Sequence, residues 1–229
     1  MAFQGREEPL TIAGPIHTSR MLDCFKSVCY FSRHFPVRAV ELEPGETVPM
    51  KGFRVTAFST QHSVPSLGYC LEEEQRPGRF NREAAISLGV PPGPLFGRLQ
   101  RGQSIEIDGR RIEPHQVMGP PRPGRKVVYT GDTRPCASVE AASQGADLLI
   151  HDCALASDMA DWARETKHST AAEAAETARR AGVAALVLTH ISSRYSEDTS
   201  ALLKEARSIF EKSTVAEDLM SLEIRLRDE

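Results

Sequence analysis

An α/β fold is what the sequence predicts, on three observations. Short apolar runs at 127–129, 148–150 and 186–188 have strand length. They alternate with stretches of helical period, the pattern of βαβ units. Each run stops abruptly at residues able to bind metal or move a proton: Asp132, the His151–Asp152 pair and His190. His168 opens a helix between the last two. In open α/β sheets the chemistry sits just beyond the carboxyl ends of the strands.

Taken in order, residues 10–12 read as a short strand before a Gly14–Pro15 turn. Thr18 or Ser19 caps a helix through about Phe31, with Met21, Leu22, Phe25, Val28 and Cys29 as its apolar stripe. His17 and His34 flank that helix without a partner and read as surface or packing residues. Residues 37–42 and 53–59 alternate as strands, and 69–71 adds another. His62 therefore lies at or just past a strand end, as Asp132 and His190 do.

Residues 72–125 change character, being rich in Gly, Pro and Arg. Asn81 and Gly89 bracket a short helix as its N-cap and C′ residue. The segment GVPPGPLFGRLQRG reads as a proline-stiffened turn with Leu95, Phe96 and Leu99 exposed or shallowly packed. A hairpin follows, turning at Asp108–Gly109. Between Arg76 and Lys126 ten Arg or Lys face four Asp or Glu. From charge alone this is a solvated surface loop. The domain reading is a core of 1–71 and 126–229, with 72–125 inserted.

Beyond 126 the elements are clearer. A strand ends in TGD, a helix follows Pro135 and stops at Gly145, and ADLLIHD is the next strand. Ser157 caps the helix that contains Trp162. Thr170 and Glu173 fit a capping box, with Gly182 as the stop. ALVLTH is the following strand, and Asp198 begins a final helix that buries Leu202, Leu203, Ala206, Ile209 and Phe210. The tail, 215–226, is expected to hold one more strand.

The 229 residues suffice for one substantial core. A formal charge of −3 gives no whole-chain case for nucleic-acid binding. The five cysteines, Cys24, Cys29, Cys70, Cys136 and Cys153, are widely spaced without a Cys-x-x-Cys, which argues against a disulfide framework and a zinc knuckle. No apolar run has transmembrane length and the start lacks a signal-peptide pattern, so no membrane partner and a cytoplasmic location are expected.

His62, Asp132 and His190 are the metal candidates, since imidazole and carboxylate suit Zn²⁺ and a carboxylate between histidine loops can bridge two ions. His168, before a helix N-terminus, can bind or protonate a phosphate oxygen, with Asp152 orienting it; a capping-region surface histidine is the competing reading. Ser192, Ser193 and Arg194 are either phosphate contacts or a polar strand-to-helix loop.

The ordered set HSVPSLGY, GVPPGPLFGRL, TGDT, ADLLIH, KHST and LTHISSRY strongly resembles ribonuclease Z, the tRNA 3′-processing endonuclease of the metallo-β-lactamase superfamily, from about residue 3 to 218. The resemblance implies an αββα sandwich, N-terminally truncated, with a protruding flexible arm at 72–125 that grips tRNA. Arg98 and Arg101 are its RNA-contact candidates. It also implies two zinc ions per subunit, a tRNA precursor as substrate and a homodimer. His62 matches a ligand of the first zinc, Asp132 the bridging carboxylate, His190 a ligand of the second, and His168 the histidine that protonates the leaving oxygen.

Two departures stand out. Asp152 replaces the family's usual Glu, keeping the carboxylate but shortening it by one methylene. The main metal motif, His-x-His-x-Asp-His, is absent, and the sequence holds no His-x-His at all. The chain therefore reads as a ribonuclease Z that begins late, short of four ligands and of doubtful activity by itself. The contrasting expectation is a non-catalytic RNA-binding or dimerising relative that keeps the arm and Arg194.

Overall fold

The computed structural model describes residues 5–28 and 35–227. These fall into two compact units, Met1–Glu72 with Arg125–Glu229, and Glu73–Gly124. In chain order the elements are β1 (Leu10–Gly14), α1 (Thr18–Val28), β2 (Val37–Glu41), β3 (Thr47–Met50), β4 (Phe53–Ser59) and β5 (Leu67–Glu73). Then come α2 (Arg82–Ser87), α3 (Pro94–Gln100), β6 (Ile105–Ile107), β7 (Arg110–Ile112) and β8 (Lys126–Tyr129). The chain closes with α4 (Ala137–Ser143), β9 (Leu148–Asp152), α5 (Ala160–Thr166), α6 (Ala171–Ala181), β10 (Leu186–Thr189), α7 (Ser200–Ile209) and β11 (Ser213–Val215).

The first unit is built on a seven-stranded sheet of order β11-β10-β9-β8-β5-β4-β3. Strands β8 to β11 run parallel, and β5 pairs antiparallel with β8. One sheet face presents Val128, Leu149, Leu186 and Leu188 to the alanine face of α6 (Ala171, Ala174, Ala175, Ala178) and to Leu202 and Ala206 of α7. Small residues on α6 bring its backbone close to the sheet. Each leucine fully buried there contributes about 1.5–3 kcal/mol.

The opposite face packs at its β3–β5 end on a second sheet made of β1 and β2 alone. Leu42, Ala57 and Leu67 form that contact with Ala13, Val48 and Tyr69. With α1 on β1 and β2, the layers are helix, sheet, sheet, helix, the α/β sandwich expected.

The second unit has its own core of Ala85, Val90, Leu99, Ile105, Ile112 and Val117. Asn81 caps α2 by accepting from the Ala84 N–H at 2.9 Å. The hairpin turns through Asp108 and Gly109, both at positive φ. Gly78 cannot carry a side chain, because a Cβ there would lie 1.9 Å from the Gly119 carbonyl oxygen.

Several elements differ from the sequence reading. The 94–100 stretch is a helix rather than a turn, since Pro94 at its start supplies a preset φ. Its Leu99 is fully buried rather than shallow. β3 was not foreseen, and it tolerates Pro49 because it lies at the sheet edge. The last strand is Ser213–Val215, and residues 216–227 hold none. There Arg125 donates to the Ile224 carbonyl (3.2 Å) and Arg227 to Asp147 (2.5 Å), so side chains anchor the tail instead of a ladder.

The α1 stripe faces solvent, with Met21 53%, Phe25 63% and Val28 75% exposed. Cys29, His34 and the expected end of that helix at Phe31 lie outside the described residues. Cys24, Cys70, Cys136 and Cys153 are free thiols. Among the described residues no helix is long and apolar enough to cross a membrane.

Candidate metal centre and active site

Because β8, β9 and β10 are parallel, their carboxyl ends share one edge of the sheet. Asp132 follows β8, Asp152 ends β9 and His190 follows β10. The loop after β4 joins them through an isolated bridge between Gln61 and Arg134. There the Gln61 N–H donates to Thr133 Oγ1 (3.0 Å) and the Arg134 N–H to the Gln61 carbonyl (2.9 Å). His62 is thereby fixed beside the loop that carries His168.

The five residues make one cluster. The His62 and His168 ring centroids are 5.0 Å apart, and His168 stacks on His190 at 4.9 Å. His190 Nδ1 lies 3.4 Å from Asp132 Oδ1. One nitrogen from each of His168 and His190 and one Asp132 oxygen lie within 4.8 Å of one another. His190 and the neighbouring Lys167 both adopt positive φ, 59° and 64°. Left-handed backbone at non-glycine residues concentrates at sites where position matters more than local comfort.

Asp152 is fully buried, and its carboxylate is satisfied three times. Oδ2 accepts from the Thr133 N–H (2.9 Å) and lies 2.8 Å from His168 Nδ1; Oδ1 accepts from the Ala154 N–H (3.1 Å). A carboxylate only accepts, so Nδ1 of His168 carries the hydrogen and Nε2 is left for the metal cluster or a substrate. The shorter Asp side chain reaches its target.

Arg134 holds the same loop from behind. Its guanidinium forks onto the Glu173 carboxylate and donates to the His168 carbonyl at 2.7 Å. Glu173 also closes the capping box of α6 by accepting from the Thr170 N–H at 2.9 Å. Burial alone would raise the Glu173 carboxyl; Arg134 and Thr170 outweigh it and hold the group below the usual range. Ser169 Oγ donates to the Thr133 carbonyl at 2.6 Å, a second tie between the two loops.

Ser192 and Arg194 line a cavity of about 300 Å³ together with His168, His190 and Trp162. Ser193 is exposed in the turn that follows. Arg98 and Arg101 belong to the second unit, where both are exposed. Sequence reasoning missed Arg134 and took Glu173 only as a cap. An arginine two residues past a strand-end aspartate was the available signal. Trp162 gave none, being one aromatic on a short helix.

A profile described as a beta-lactamase superfamily domain matches residues 110–191. Over its whole length the chain is 54% identical to "Ribonuclease Z" of Methanosarcina acetivorans, covering 75% of that protein. It is 46% identical to "Ribonuclease Z" of Myxococcus xanthus, again over all of the chain and 75% of the relative.

The chain belongs to the ribonuclease Z family.

Solved structures agree on the fold. The human short form of tRNase Z superposes with a TM-score of 0.60 at 21% identity, over 96% of this chain and 70% of that one. The metallo-beta-lactamase fold protein YhfI of Bacillus subtilis gives 0.57 at 20% identity, over 91% of this chain and 63% of that one. This family member has a metallo-β-lactamase fold with a candidate divalent-metal site at the sheet's carboxyl edge.

The donors fit such an ion in kind and number. Two imidazoles and a carboxylate suit a borderline cation such as zinc, and three protein ligands are what a catalytic zinc site requires. They are too few for two ions.

Proposed function

We propose that this ribonuclease Z family member is a zinc-dependent phosphodiesterase directed at the 3′ trailer of tRNA precursors. The observation that carries the reading is the Asp152–His168 pair at 2.8 Å, with the His168 ring stacked on His190 beside Asp132. Whole-length identity to proteins named ribonuclease Z supports it, and does not favour a non-catalytic relative.

In this proposal Asp132, His190 and His62 hold the metal, which leaves His168 Nε2 for proton transfer. A bound divalent ion supplies Lewis-acid polarisation of a phosphoryl oxygen. Ser192, Ser193 and Arg194 orient the phosphate. His168, as imidazolium, gives its Nε2 proton to the leaving oxygen, while Asp152 holds Nδ1–H and stabilises the cation. General acid catalysis of this kind contributes about 10²- to 10⁴-fold. A second ion would need donors beyond this cluster of the described residues, and hydrolysis by this chain alone is expected to be weak.

The second unit is the proposed RNA grip, through Arg98 and Arg101. Assembly as a homodimer in the cytoplasm completes the proposal. The test is zinc stoichiometry by calorimetry, paired with release of an end-labelled trailer. Zinc binding lost in both Asp132→Asn and His190→Ala supports the site. Unchanged zinc binding in either variant would overturn it.

A further inference from the structure

Trp162 is 46% exposed, although the next residue on its helix, Ala163, is fully buried. Its neighbour Ala163 packs with Ala154 and Leu155, and Met159 and Tyr195 close around that cluster. Thr166 Oγ1 donates to the Trp162 carbonyl at 2.8 Å, and the Ala156 N–H donates to the Tyr195 hydroxyl at 3.1 Å. The backbone of α5 is thus held firmly while the indole is presented outward. An indole left half in water on a well-packed helix covers no core of its own.

The indole lines the cavity of about 300 Å³ that also holds His168, His190, Ser192 and Arg194. Trp162 gives the lining an aromatic residue, Ser192 and Arg194 give it a hydroxyl and a cation, and Leu155 and Ile191 are apolar. That volume lies at the small end of ligand pockets and suits a single nucleotide unit. A bare phosphate would leave the indole without a use, and a purely apolar ligand would leave Ser192 and Arg194 without one.

We propose that Trp162 is a stacking platform for one unpaired nucleobase of the RNA, the base adjoining the phosphate held by Ser192 and Arg194. This rests on reading the cluster as a phosphodiesterase site, because it names the base next to the reacting phosphate. Stacking on an aromatic ring is tolerant of sequence, since every base has a π-face. The platform therefore places the chain in the cavity without choosing among bases. It also requires that nucleotide to be single-stranded, because a base inside a helix has its faces covered by its stacked neighbours. Trp162 acts by positioning and takes no part in proton transfer.

Trp162 is the chain's single tryptophan, so its emission reports on this position alone. The experiment titrates the full chain with a single-stranded pentaribonucleotide, and with versions carrying an abasic ribose at each position in turn. Saturable quenching by the intact oligomer is expected, with one abasic position abolishing it and weakening binding roughly 5- to 100-fold. Trp162→Phe keeps most of the affinity. Trp162→Leu binds the intact oligomer as weakly as the wild-type protein binds that abasic version, measured by anisotropy of a labelled strand.

Quenching that survives every abasic substitution overturns the proposal. So does a Trp162→Leu variant that binds all the oligomers as the wild type does. Emission that shifts with protein concentration in the absence of RNA, and not on adding it, assigns the indole to contact between copies and also overturns it. Zinc binding and trailer release provide the separate controls. Base-dependent quenching in a protein whose zinc binding is unchanged in Asp132→Asn or His190→Ala sinks the phosphodiesterase reading and leaves the platform; trailer release without such quenching sinks the platform alone.

Discussion

The Asp152 carboxylate meets the His168 imidazole at 2.8 Å although it is one methylene shorter than the glutamate the family resemblance led one to expect. The gap is closed by the backbone: Thr133 and Ala154 N–H groups hold the carboxylate from either side. Asp152→Asn removes the obligate acceptor, so the His168 tautomer is no longer fixed. ¹⁵N chemical shifts should show Nδ1 fully protonated in the wild type and a tautomer mixture in the variant. Where trailer release is measurable, its kcat should fall about 10²- to 10⁴-fold with little change in KM. An unchanged His168 spectrum would exclude the orienting role.

Asp152→Glu should not improve the site. The side chain is fully buried, and an added methylene there is expected to cost about 1–3 kcal/mol of stability. The urea midpoint of the variant is the measurement, with an unchanged slope showing that the denatured state is unaffected.

Glu173→Gln weakens the Arg134 fork that carries the His168 loop. Hydrogen bonds to charged groups contribute about 1.5–3 kcal/mol, and a loss of that order is expected at pH 7. The Glu173 carboxyl titrates below its ordinary 4.5 in the fold. Its contribution is therefore fully present above that value and disappears as pH falls through the lowered one. Wild type and variant should converge in acid; a difference that stays constant with pH would contradict the ion-pair account.

His151 is fully buried, with Nδ1 2.8 Å from the Asp152 carbonyl and Nε2 without a partner among the described residues. Burial pushes its pKa below the ordinary 6.5. Above 6.5 both folded and unfolded forms are neutral. Below it the unfolded chain takes up a proton that the folded one refuses, so stability declines by about 1.4 kcal/mol per pH unit until the folded pKa is reached. In His151→Leu that part of the slope should vanish. Thermal melts between pH 7 and pH 5 would reveal it.

Leu10–Gly14 pairs with β2 in a two-stranded sheet, whereas Leu148–Asp152 is flanked by β8 and β10. Amide exchange should therefore be faster throughout β1 than in β9. Full protection of residues 10–12 would contradict this.

By itself the sequence determined the parallel strands, their order of appearance and the chemical residues at their ends. It did so because a buried strand must be apolar and must then stop, which leaves Asp132, Asp152 and His190 conspicuous. Local caps were equally legible: Asn81, the Thr170–Glu173 box and Gly182 act within a few residues of themselves.

Only the tertiary structure decided what those residues meet. Asp152 and His168 lie 16 positions apart, and Arg134 reaches Glu173 across 39. No periodicity encodes such distances, because they are set by how α6 seats on the sheet. Burial of Leu99, exposure of Phe25 and the outward face of Trp162 likewise depend on which neighbour arrives. A side chain's own chemistry states what it can do; the packing around it settles where it does so.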